Sequence, residues 1–176
     1  MTPSQGISDF QLHCQKLYIC YSFSVSGLQD KAEQFSRLKP DITKSLIVGA
    51  GHPDKGHWHG SINVGVFLEA SQKNGSFPDA IAKSFLTSIY SAWDEFYRHQ
   101  IAKEVGVDQK SVKSSLMGDL RLIRHCIVHK KSIITDEIEK FEELSWKLPP
   151  GPFQVSELMF QSFIEQVNRM AVRIER

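Results

Sequence analysis

Apolar side chains recur at steps of three and four along most of the chain, which is the helical signature. From about Ser8 to Leu38 the stripe is Phe10, Cys14, Leu17, Tyr21, Val25, Leu28, Ala32 and Phe35. A competing period of two runs inside it, where Tyr21, Phe23 and Val25 alternate with Ser22, Ser24 and Ser26. The longer stripe predicts one helix, with Gly27 as its weak point and Lys39-Pro40 as its end. Thr43–Ser76 differs in kind. It carries Gly49, Gly51, Gly56, Gly60, Gly65 and Gly75 together with a histidine cluster, and it reads as an irregular insertion or flap. Within it, Ile62–Leu68 fits either a short strand or a helical turn.

Pro78 stands where a first helical residue belongs, and Ile81, Phe85, Ile89, Trp93, Phe96 and Ile101 follow at helical spacing up to Gly106. A further helix is predicted from near Asp108, with Val112, Leu116, Leu120, Ile123 and Ile127 as its stripe. Gly118 in its middle costs about 1 kcal/mol against alanine, which points to a close helix contact there. An acidic helix over Asp136–Leu144 precedes the breaker Pro149-Pro150-Gly151-Pro152. The last helix has Ser156 as N-cap, Glu157 in its first turn, and Val155 and Phe160 placed as a hydrophobic staple. Its stripe is Phe160, Phe163, Ile164, Val167, Met170 and Ile174. The pattern predicts an all-α fold: a helical bundle forming one domain over residues 1–176, with the glycine- and histidine-rich insertion at about 43–76.

Composition narrows this little. Apolar residues at 41% and charged residues at 23% are ordinary globular values. Cys14, Cys20 and Cys126 form no CxxC pair, and Met1–Phe10 lacks the basic start of a signal peptide. The longest uncharged apolar run, Leu17–Val25, is far short of the ~20 residues that cross a bilayer. A cytoplasmic protein with no membrane association is the expectation.

Charge is informative only locally. The chain carries +1 overall. Lys110–Lys131 alone holds six basic residues (Lys110, Lys113, Arg121, Arg124, Lys130, Lys131) against Asp119. Such asymmetry suits a phosphate-facing surface, and it equally suits a solvated helix face. The same helix ends Gly118-Asp119-Leu120-Arg121-Leu122-Ile123-Arg124-His125-Cys126-Ile127-Val128-His129. An arginine, a polar residue, three residues and a histidine form the signature of the HEPN superfamily of small helical domains, many of them RNases. Together with the aromatic, acidic stretch Ser91–Arg98 on the preceding helix, Arg124-His125-x3-His129 resembles that family over about Pro78–Lys131.

The resemblance implies a HEPN-like helical bundle and a metal-independent endoribonuclease, a toxin or defence component working as a homodimer on RNA. It implies Arg124 and His129 as catalytic residues supported by His125, with Arg121, Lys130 and Lys131 binding RNA and no cofactor or metal. The physics is compatible: imidazole moves protons near neutral pH, and a guanidinium fork grips phosphate. The members whose motif tyrosine is modified by an antitoxin carry it two residues after the histidine. Lys131 stands there, which leaves an antitoxin partner open. One copy of the motif supplies one arginine and one strong acid–base histidine, so the second acid–base group is expected from a second copy. No carboxylate cluster accompanies the motif in sequence, which leaves a two-metal mechanism without obvious ligands. The alternative is a non-catalytic HEPN module for RNA binding or dimerisation. A third reading is a metal protein using His52, Asp54, His57 and His59; these residue types suit zinc, but their order matches no metal motif. The segment is therefore expected to be a surface loop, with Trp58 available to stack on a base.

Overall fold

The computed structural model describes residues 4–51, 55–134 and 141–175. The first helix, α1 (Gln5–Arg37), is unbroken through Gly27. Ser4 caps it by accepting from the Ile7 amide. Phe10, Cys14, Tyr21, Val25 and Ala32 are buried while Phe23 is 76% exposed, so the helical period prevails over the alternation. The glycine-rich segment is ordered as a hairpin, β1 (Ser45–Ala50) against β2 (His57–Asn63), antiparallel and with a bulge opposite Val48/Gly49. A Cβ on Gly49 would sit 2.5 Å from the His57 carbonyl oxygen. Glycine is therefore needed where the strands approach most closely. Asn63 ends β2 and caps α2 (Val64–Ala70), so Ile62–Leu68 is strand and then helix.

A long rod follows. α3 (Ser76–Ala92) passes through a single π-helical turn, Trp93–Tyr97, into α4 (Arg98–Val105), which Gly106 ends at φ +72°. The Arg98 amide reaches back five residues to the Trp93 carbonyl. One extra residue per turn shifts the register. Ile101 and Ala102 are buried beyond it, whereas Phe96, expected in the stripe, is 61% exposed.

The expected all-α bundle is corrected by the strand pairs: the fold is mixed α/β, with small antiparallel pairs joined to a helical core. Asp108–Ser111 is a 3-10 turn behind an Asp108 cap rather than the start of a helix. Next comes β3 (Val112–Lys113), and α5 (Ser115–His129) begins only after the Ser114 cap. After α5, β4 (Ile133–Ile134) pairs with β5 (Gly151–Pro152). The final helix, α6 (Glu157–Val167), has Ser156 as its cap. It stops short of the predicted stripe because Gln11 on α1 donates to the Val167 and Asn168 carbonyls at 3.1 and 3.2 Å, satisfying its end. Ile174 belongs instead to β6 (Arg173–Ile174), which pairs with β3. Most of the expected Asp136–Leu144 helix lies outside the described residues, and Phe141–Leu144 are not helical.

The core lies where α1, the α3–α4 rod, α5 and α6 meet. Phe10 packs on Trp93 with ring centroids 5.2 Å apart, and Tyr21 packs edge-on to Phe160 at 4.7 Å. A buried polar clamp ties the loop before α6 to α3. Lys83 Nζ donates to Asp79 Oδ2 at 2.8 Å and to the Phe153 carbonyl at 2.7 Å, while Asp79 Oδ1 accepts from the Val155 amide at 2.7 Å. No helix among the described residues is long and apolar enough to cross a membrane.

Candidate functional site

Helix α5 buries Leu116, Leu120, Ile123 and Cys126 against the core, chiefly against α3. Its spacing therefore aims Gly118, Arg121, Leu122 and His125 the other way. With Arg124 they form one wall of a cleft of about 940 Å³, and Tyr90, Ser91, Asp94 and Glu95 of the α3 rod form the facing wall. Gly118 makes no close helix contact: it is exposed, and a Cβ there would meet nothing within 4 Å. Gly118→Ala should therefore raise stability by about 1 kcal/mol, measured by urea unfolding. A loss of stability would show that the glycine answers a packing constraint after all.

Arg124 is held by shape. Its guanidinium carbon lies 5.5 Å from the centroid of the Tyr90 ring, and its Nε is buried with no hydrogen-bond partner among the described residues. Burial pushes the Tyr90 phenol above its ordinary range and Asp94 adds to this, while Arg121, Arg124 and Arg98 pull the other way. His125 lines the cleft, and the His129 ring lies behind it with centroids 5.1 Å apart. His129, Lys130 and Lys131 are exposed and do not line the cleft. There the chain reverses through two left-handed residues, Lys131 at φ +52° and Ser132 at φ +61°, before entering β4. Of the residues singled out in the sequence, Arg121, Arg124 and His125 thus share one cavity, and His129, Lys130 and Lys131 lie outside it.

The cleft also holds carboxylates that the linear reading placed elsewhere. Asp94 is bound to Arg98 at 2.9 Å, and Arg98 Nε donates to the Val112 carbonyl at 2.9 Å, tying the π turn to β3. Gln109 donates to the Asp94 carbonyl at 2.5 Å. The β3–β6 pair brings in Lys113 with Glu175 at 3.9 Å, and Arg173 with Glu142 at 3.8 Å. Arg173 also donates to Ser115 Oγ. Asp119 is 2% exposed and accepts from the Glu142, Glu143 and Leu144 amides. The site is therefore a charge-paired cleft in which Arg121 and Arg124 have no acidic partner among the described residues, rather than a uniformly basic groove. The acidic stretch Ser91–Arg98 was the one sequence signal for its second wall, and two-residue strand pairing left no signal for Arg173 and Glu175.

In the hairpin, Trp58 is 60% exposed, and the strand register skips His59 at the bulge. His52 and Asp54 lie outside the described residues. Among the described residues, no group of three or more His, Cys, Asp or Glu is placed to hold a metal ion. Compared with known proteins, the chain matches no family model, no curated protein and no solved structure.

Proposed function

We propose that this chain is a metal-independent endoribonuclease of HEPN type. One observation carries the reading: Arg121, Arg124 and His125, on successive turns of α5, open onto a single cleft. Arg121 and Arg124 take the non-bridging oxygens of one phosphate, where an always-charged planar fork suits the geometry. The His125–His129 pair supplies the proton for the departing 5′-oxygen, the general-acid role that imidazole serves. Attack by the neighbouring 2′-hydroxyl then needs no metal ion. End-labelled RNA incubated with the protein in excess chelator should be cut, leaving 2′,3′-cyclic phosphate or 3′-phosphate ends. Cleavage only with added magnesium, leaving 3′-hydroxyl ends, would overturn the reading.

The second reading is a non-catalytic RNA-binding or dimerisation module. The exposure of His129, Lys130 and Lys131 outside the cleft, beside the exposed Val128 and Ile133, favours it. RNA retained in a gel-shift assay without any cutting would select it.

A further inference from the structure

We propose that Glu95 is the general base of this cleft, so that one chain carries both halves of the acid–base pair. The inference rests on the RNA-cleaving reading above. The motif helix contributes imidazoles and guanidiniums but no free carboxylate, because Asp119 is buried under three backbone amides. The other acids of the cavity are also engaged: Asp94 by Arg98, Glu142 by Arg173 and Glu175 by Lys113. Glu95 alone among the described acids of this cleft makes no ion pair or hydrogen bond, and it is exposed to the cavity facing α5. Asp94 and Glu95 follow Tyr90 and Ser91 by one helical turn on the same face of the rod, at the start of the π turn Trp93–Tyr97. Such one-residue insertions recur where a helix carries function. Trp93 stays in the core, one turn after Ile89, while Asp94 and Glu95 line the cleft.

The chemistry balances within this set. The Glu95 carboxylate takes the proton of the 2′-hydroxyl, and the 2′-oxygen forms a bond to phosphorus. The phosphorus–5′-oxygen bond breaks, and the imidazolium of the His125–His129 pair protonates the leaving oxygen. Arg121 and Arg124 neutralise the charge gathering on the non-bridging oxygens. The products are a 2′,3′-cyclic phosphate and a 5′-hydroxyl. Glu95 is left protonated and the imidazole neutral, and exchange with water resets both.

The test is Glu95→Gln, which should melt with the wild type because Glu95 has no partner to lose. Its kcat should fall about 100-fold or more with KM little changed. An RNA with a 5′-sulfur leaving group separates the roles, since thiolate departs without a proton. That substrate should restore much of the rate of the His125→Ala/His129→Ala double variant and leave Glu95→Gln slow. Wild-type rates in Glu95→Gln, alongside an inactive Arg124→Ala, would overturn this inference and leave the RNase reading standing. So would rescue of Glu95→Gln by the sulfur substrate. A wild-type protein that cuts no RNA would overturn both.

Discussion

Replacing Arg124 by alanine should lower the single-turnover rate of RNA cleavage by about 10²–10³-fold, the usual cost of removing one preorganised charge from a phosphoryl-transfer site. The expectation follows from how the side chain is held. Its guanidinium lies against the Tyr90 ring, and its Nε is buried without a hydrogen bond to any described residue. The side chain is thus held by packing before any phosphate arrives, and less ordering entropy remains to be lost on binding. Affinity should fall much less, because in the proposed reading Arg121 takes the same phosphate. The salt dependence of binding should lose roughly one phosphate's share, a change in slope of ~0.7 for a single strand. Arg124→Lys should recover only a small part of the rate, since an ammonium keeps the charge but neither forks nor stacks. Thermal unfolding should move little, because truncation removes the stacking on Tyr90 and breaks no hydrogen bond at Nε. An Arg124→Ala protein cutting within twofold of the wild type would place the chemistry elsewhere.

The helices were legible because their apolar stripes are long and their ends are chemically marked. Ser156, Gly106 and Lys39-Pro40 act where the sequence puts them. The failures share a cause: short elements stabilised from far away in the chain. Val112 falls in the helical stripe of α5, yet it is a strand residue because Ile174 pairs with it. Neither two-residue partner has a period of its own to read. An unbroken 3.6-residue period puts Phe96 in the core, and the π turn resets that period. The candidate site divides in the same way. Arg121, Arg124 and His125 were legible because one helix spaces them. Glu95 and Asp94 sit on another element some thirty residues earlier, and only the packing of α3 on α5 makes them neighbours. Helix α5 taken by itself lacks an acid–base partner for its histidines, which is why its sequence points to a second copy.

Asp119, in sequence only the lone acid of a basic helix, should prove a main anchor of the cleft's outer wall. Asp119→Ala is expected to destabilise the protein by about 3 kcal/mol, lowering Tm by roughly 6–12 °C for a chain of this size. Its carboxylate is 2% exposed and accepts the Glu142 amide at 3.0 Å and the Glu143 and Leu144 amides at 2.8 Å each. Hydrogen bonds to a charged acceptor are stronger than neutral ones, and here they gather three donors on a non-helical segment. Truncation leaves a buried gap and strands the Leu144 amide away from water. The cost is below the sum of three full bonds because the exposed Glu142 and Glu143 amides can take up water instead. Asp119→Asn should recover a large part of the loss, since one oxygen, Oδ2, already accepts from both Glu143 and Leu144, and the NH₂ would oppose only the Glu142 amide at the Oδ1 position. The buried charge also reaches Glu143, whose carboxyl is raised above the ordinary range first by burial and then by Asp119. Removing Asp119 should let that carboxyl fall back toward its usual value, a change readable by NMR titration. Hydrogen exchange gives the local check: the Leu144 amide should lose its protection in Asp119→Ala while amides in the middle of α1 keep theirs relative to global stability. Equal protection at Leu144 in both proteins would mean that the segment is held by something other than this carboxylate.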